Sequence, residues 1–197
     1  MLEANVPAGA LGFRVKSGRA IAVLLVGPAQ SPRAVDRQEI DLCDPKIPES
    51  RQPYHAGMGR LQTNAAKVER LRKVVGRAAS QSVAKLMKEY ESTGHRIRAA
   101  CLVIGSETDP AKITNPHIRA HALEGRLFRT VLERALGTCG LHCSMVLERS
   151  VYKRAAGILA RSEDDLKDAV RELGRGLTGP WRADEKTAAL AAWLTLA

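Results

Sequence analysis

The stretch 115-NPHIRAHALEGRLFR-129 places two imidazoles and a carboxylate, His117, His121 and Glu124, at spacings of four and three residues. At about 100° per residue these three share an arc of roughly 60° with Phe128 and Ala135, while Arg119, Arg126, Arg129 and Glu133 lie opposite. The core-facing stripe is thus polar in its first half and apolar in its second. Several chemistries suit such a set. A hydrogen-bonded His–His–Glu cluster can close the end of a core, because buried polar groups need partners. His117 with the free amides of the first helical turn suits a phosphate or another anion. His117, His121 and Glu124, at i, i+4 and i+7, also suit a metal ion, although no H-E-x-x-H motif supplies the usual base. Acid–base catalysis by the same groups is the remaining use. The alternatives stay open at the level of sequence.

The elements that position these groups follow from pattern. Asn115 before Pro116 marks a helix start, with Asn as cap and Pro at the first helical position, and the helix is expected over 116–136. Before it, 97-IRAACLVIG-105 reads as a strand buried on both faces, as in a parallel sheet. The loop between them, 105-GSETDPAKIT-114, carries Ser106, Glu107 and Asp109. A helix that follows a strand in an open α/β sheet begins at the strand's carboxyl edge, where ligands bind. The polar end of the stripe therefore points at the expected site.

Upstream, 12-GFRVK-SG-RAIAVLLVG-27 reads as two strands joined by a tight turn at Ser17-Gly18. A third antiparallel edge strand is expected within 32–42. Residues 43–60 form a long Pro- and Gly-rich loop, longer than compact domains usually carry, so an ordered or functional covering segment is expected. From Leu61 to about Tyr90 the apolar residues step by three or four, which predicts a helix with Lys67, Arg70, Lys73, Arg77 and Lys88 on its other faces. After the histidine helix, 141-LHCSMVLE-148 reads as a second buried strand. Helices are then expected over about 150–160, from Ser162, and over 183–196. The whole predicts one α/β domain, 1–197, with a mixed five-stranded sheet (three antiparallel strands, then two parallel) covered by helices on both faces.

Composition narrows the partners. With 31 Lys and Arg against 21 Asp and Glu, the net charge is +10, which favours polyanions and nucleic acid first. The four cysteines, Cys43, Cys101, Cys139 and Cys143, follow no disulfide framework. Residues 1–12 lack a basic start followed by an apolar run, so a reduced, cytoplasmic protein is expected. The longest apolar runs are too short to span a bilayer, and no membrane partner is expected. A homodimer is compatible with the sequence. The 138-TCGLHC-143 segment lacks the C-x2-C pairs of zinc sites and reads as buried small hydrophobes. No Walker-type or dinucleotide-binding glycine motif is present.

The order of elements resembles the ribonuclease H-like superfamily, to which RuvC-type resolvases belong. The hairpin 12-GFRVKSGRAIAVLL-25 is similar to the one that opens those proteins. The segment 181-WRADEKTAALAAWLTL-196 is similar to the RuvC-type last helix, an acid followed by small residues. The resemblance implies carboxylates that hold two divalent metals, Mg²⁺ or Mn²⁺, with Glu107 near the place of the acid after the fourth strand and Asp184 on the last helix. It also implies an aspartate at the end of the first strand, where this chain has Arg14, Val15 and Lys16 instead. Glu107, His121, Glu124 and Asp184 are the candidate catalytic residues around one pocket. Arg14, Lys16, Ser106, Asn115, His117 and Arg119 are the candidate ligand or phosphate contacts. The expected function is nucleic-acid or phosphate-ligand binding with altered or lost two-metal nuclease chemistry; an active metal-dependent phosphodiesterase and a non-catalytic interaction protein are the alternatives.

Overall fold

The computed structural model describes residues 8–197; the absence of a leader, read on residues 1–12, lies partly outside the described residues. Strands β1 (Ala8–Lys16), β2 (Arg19–Val26) and β3 (Arg33–Asp41) form an antiparallel meander. Its first turn is Ser17-Gly18, where Gly18 has φ +79°, a conformation a glycine takes without Cβ strain. The chain then crosses the 43–60 segment, which the buried Ser50 ties down: its hydroxyl accepts from the Asp44 amide at 3.0 Å and donates to the Ile47 carbonyl at 2.6 Å. The segment ends in a short hairpin, β4 (His55–Ala56) against β5 (Arg60–Leu61). This pairing takes Leu61 out of the following helix.

Helix α1 (Ala65–Ser92) starts at Asn64, whose side chain accepts from the Lys67 amide, and it buries Leu71, Val75, Ala79, Val83, Leu86 and Tyr90. Strand β6 (Arg96–Ile104) enters the sheet parallel to β1. Helix α2 (Pro116–Thr138) leads to β7 (His142–Leu147), parallel to β6. Helices α3 (Val151–Leu159), α4 (Glu163–Leu173) and α5 (Ala183–Leu194) complete the chain. The sheet order is β3-β2-β1-β6-β7, three antiparallel strands and two parallel ones, as the sequence pattern predicts.

Two apolar layers explain why β1, β2 and β6 are apolar at nearly every position. Leu11, Phe13, Leu24 and Leu102 point toward α1 and α2, where Val75, Val83, Phe128 and Leu132 meet them. Ile21, Val23, Val103 and Cys101 point the other way, toward α4 and α5, against Leu166, Val170, Leu190 and Trp193. A strand sandwiched between helices has no wet face to make polar. Helix α5 lies so close to β1 that a Cβ on Gly12 would stand 1.8 Å from the Ala188 carbonyl oxygen. The run of alanines at 188, 189, 191 and 192 is what allows that approach. Among the described residues, no helix is long and apolar enough to cross a membrane.

Candidate functional site

The carboxyl edge of the parallel strands gathers two groups of side chains. The first sits where β1, β7 and α5 meet. Arg14, at the end of β1, keeps 7% of its side chain exposed and pairs with Glu148, which follows β7; its Nε stands 3.7 Å from Asp184 Oδ1. Its Nη1 donates to the Val15 carbonyl at 3.0 Å. Lys16 Nζ lies 3.0 Å from the same Asp184 oxygen. Asp184 stands in the first turn of α5; the N-cap residue is Arg182, whose amide donates to the Glu185 carboxylate at 2.8 Å. Two cations and two carboxylates thus answer one another.

The second group is the histidine stripe of α2. Asn115 caps the helix as expected, its side chain accepting from the His117 and Ile118 amides at 3.0 and 3.1 Å. Those amides are therefore engaged within the chain, which removes them from the anion site the sequence suggested. Glu124 is fully buried and accepts from His55 Nδ1 at 2.7 Å and from the Tyr54 amide at 3.3 Å. His117 Nδ1 donates to the Gly59 carbonyl at 2.8 Å. His121 Nε2 lies 3.2 Å from His117 Nε2, and the His55 ring is centred 4.5 Å from that of His121. Nitrogens of His55, His117 and His121 all fall within 4.8 Å of one another, a set able to hold a metal ion. Burial, then the neighbouring His55 and His117, hold the His121 imidazole below its ordinary value. Burial pushes the Glu124 carboxyl up, against the opposing pull of His55 and the Tyr54 amide.

Of the candidate catalytic residues, His121 and Glu124 come together with His117, Asp184 joins Arg14 and Lys16, and Glu107 is exposed in its loop. His121 still connects the two groups, because it lines a cavity of about 270 Å³ with Arg14, Lys16 and Ser106. Ser106 hydrogen-bonds Thr108 through its hydroxyl and receives Arg129 on its carbonyl. Arg119 is drawn back onto the carbonyls of Ile113 and Ala111 and braces the loop before α2. The TCGLHC segment adds no ligand set: among the described residues, the donors that gather are the three histidines, and all four cysteines are free.

Two members of these groups escape the sequence reading. His55 belongs to a Pro- and Gly-rich loop with no periodicity to mark it, and its partner Glu124 is 69 residues away. Glu148 ends a strand pattern and looks like any turn carboxylate, since its partner Arg14 is 134 residues away. A histidine inside a loop too long to be idle is the one signal that could have marked His55.

A third feature lies on the outer face. An open groove of about 660 Å³ runs between α1 and α2, with Arg72, Lys73, Arg126 and Arg134 among its lining residues. Arg72 pairs with Glu69 and Arg126 with Asp109; Lys73 and Arg134 make no ion pair among the described residues.

No protein-family model matches the chain, and no curated protein does. Among solved structures, it is similar to Thermus thermophilus RuvC at 9% identity and a TM-score of 0.55, over 94% of this chain and 92% of that one. The T. thermophilus RuvC in complex with Holliday junction substrate aligns at 10% identity and a TM-score of 0.56, over 95% and 91%. The yeast mitochondrial Holliday junction resolvase Ydc2 covers 97% of this chain and 78% of its own, at 10% identity and a TM-score of 0.48. Identities this low compare backbones, not active-site residues. Strand order, the parallel and antiparallel pairings and the likeness to RuvC agree: the chain has the ribonuclease H-like fold of RuvC-type resolvases.

Proposed function

We propose that this chain is a nucleic-acid-binding protein of ribonuclease H-like fold, one domain over 1–197, whose carboxyl edge has given up two-metal hydrolysis. The observation that carries the reading is the place of Arg14. The resemblance implies a metal-binding aspartate at the end of the first strand, and here a guanidinium occupies it, paired with Glu148 and Asp184 while Lys16 meets the same Asp184 oxygen. A set of two carboxylates answered by two cations has no net negative charge to offer. It does not fit a pair of divalent ions, whose binding depends on carboxylate charge. Glu107 does not complete the set, since it stands exposed without a partner among these residues.

Binding itself is supported by the charge of +10 and by the groove between α1 and α2, where Lys73 and Arg134 are free to meet phosphates. The RuvC relative solved with its Holliday junction substrate indicates what the fold can accommodate. Cations that neutralise phosphates release counterions, so the affinity must depend on salt. Anisotropy of labelled duplex, single-stranded and branched DNA, and of RNA, titrated with the protein across a salt series tests this. Log affinity should fall linearly with log salt. Lys73→Glu and Arg134→Glu should each lower the slope on duplex DNA by about 0.9 per lost phosphate contact. No binding to any of these at low salt overturns the proposal and leaves a non-catalytic interaction protein.

A further inference from the structure

We infer that His55, His117 and His121 form a site for one zinc ion, held by three imidazole Nε2 atoms, with Glu124 as the carboxylate that orients His55. The site uses none of Arg14, Glu148 and Asp184 and stands whether or not the chain binds nucleic acid. The tautomers come first. The Gly59 carbonyl has no proton to give, and neither has Glu124 Oε1 as a carboxylate, so against these partners the Nδ1 atoms of His117 and His55, at 2.8 and 2.7 Å, are the N–H atoms. Each ring therefore presents Nε2 as a lone pair. That pattern, Nδ1–H to a carboxylate or a backbone carbonyl with Nε2 turned inward, is how metal-bound histidines are held.

Distances agree. The Nε2 atoms of His117 and His121 are 3.2 Å apart; two nitrogens on a tetrahedral zinc at about 2.05 Å stand about 3.3 Å apart. The third donor lies within 4.8 Å of both. A purely hydrogen-bonded core cluster explains the two Nδ1 contacts but not His55 Nε2. That atom is buried and has no hydrogen-bond partner, in a side chain only 8% exposed. An unpaired ring nitrogen in such a place is destabilising, and a metal ion would satisfy it. Glu124 Oε2, likewise unpartnered, stands 4.0 Å from His121 Nδ1 and can receive that N–H once Nε2 is taken by the ion.

Imidazole donors without carboxylate or thiolate ligands select zinc and its neighbours, not Mg²⁺ or Ca²⁺. The ion would join the loop hairpin to helix α2, across the same gap that the His55–Glu124 and His117–Gly59 hydrogen bonds span. Gly59 fits this role: its φ is +72°, and a Cβ there would stand 3.1 Å from the His117 ring. His117 and His121 are exposed, so the fourth position is open to water, the pattern of three protein ligands plus solvent.

The full chain, stripped with chelator, is titrated with Zn²⁺ by calorimetry and with Co²⁺ by visible absorption. One ion per chain is expected, with the strong cobalt bands of low coordination number. His117→Ala and His121→Ala alter exposed side chains, so both should fold, melt near wild type in chelator, bind zinc at least 100-fold more weakly and lose the cobalt bands. Glu124→Gln should weaken zinc about 10- to 100-fold. Zinc should raise the melting temperature of wild type and leave that of the two histidine variants unchanged, and a large excess of Mg²⁺ should neither compete nor stabilise. Absence of zinc binding by wild type, unchanged affinity in the two histidine variants, or displacement by Mg²⁺ would each overturn the assignment.

Discussion

A guanidinium with 7% of its side chain exposed must have its charge answered, and Arg14 is answered by Glu148 and Asp184. The same logic governs Glu124, fully buried against His55. These two pairings decide what each cluster can do: Arg14 leaves Glu148 and Asp184 no charge to spare, whereas Glu124 engages only Nδ1 of His55 and leaves its Nε2 without a partner. Arg14→Asp puts the question directly, since it places a third carboxylate beside Glu148 and Asp184. In chelator the variant should lose roughly 2 kcal/mol or more, as charge pairs become charge repulsion. Added Mg²⁺ should return part of the loss as a rise in melting temperature that wild type does not show. An equal rise in wild type would mean that the edge holds a divalent ion in spite of Arg14.

At the scale of elements, the position of helix α5 is specified by a close approach and two side-chain tethers. Its alanines admit it to within backbone contact of β1 at Gly12, and Trp193 donates to the Ala29 carbonyl at 2.7 Å. Its first turn is tied to the edge strand by Glu185, which accepts from Arg37 of β3 at 2.6 Å and caps the helix through the Arg182 amide at 2.8 Å. Burial alone would raise the Glu185 carboxyl, but the Arg37 guanidinium and the cap amide outweigh it and hold the group below the usual value of 4.5. A carboxyl whose folded value is lowered stabilises the fold above its unfolded value and loses that stabilisation as pH falls through the folded one. Stability at neutral pH should therefore decline below about pH 4.5, and Glu185→Gln should melt lower at pH 7 with a shallower decline in acid. Melts from pH 7 to pH 3 check both; parallel curves for the two proteins would show that Glu185 adds nothing.

At the scale of the whole molecule, one sheet serves both apolar layers, so neither layer can open without exposing strands that the other needs. Both tryptophans, Trp181 and Trp193, report on the α4–α5 side, whereas far-UV circular dichroism sees α1 and α2 as well. Urea unfolding followed by the two signals should give coincident transitions; separated midpoints would divide the chain into two units. The strands and the helices on both faces were legible in the sequence, because a strand covered on both sides is apolar throughout and a helix shows its buried face at every third or fourth residue; that β7 lies at the sheet edge with only Val146 buried was not. The Asn115 cap, the Ser17-Gly18 turn and the gathering of His117, His121 and Glu124 on one line were legible for the same reason: each is local, set by residues within a turn or two of one another. Arg14 and Lys16 were visible as cations where the resemblance implies an acid. What only the tertiary structure decided is which charges meet. Glu148 pairs with Arg14 across the sheet, Asp184 turns toward Arg14 and Lys16 and not toward the histidines, Glu107 stays in solvent, and His55 arrives from a loop to complete the imidazole set. Periodicity reports the face a residue occupies, whereas these contacts depend on how strands and loops far apart in the chain are brought to one edge, and no local pattern carries that information.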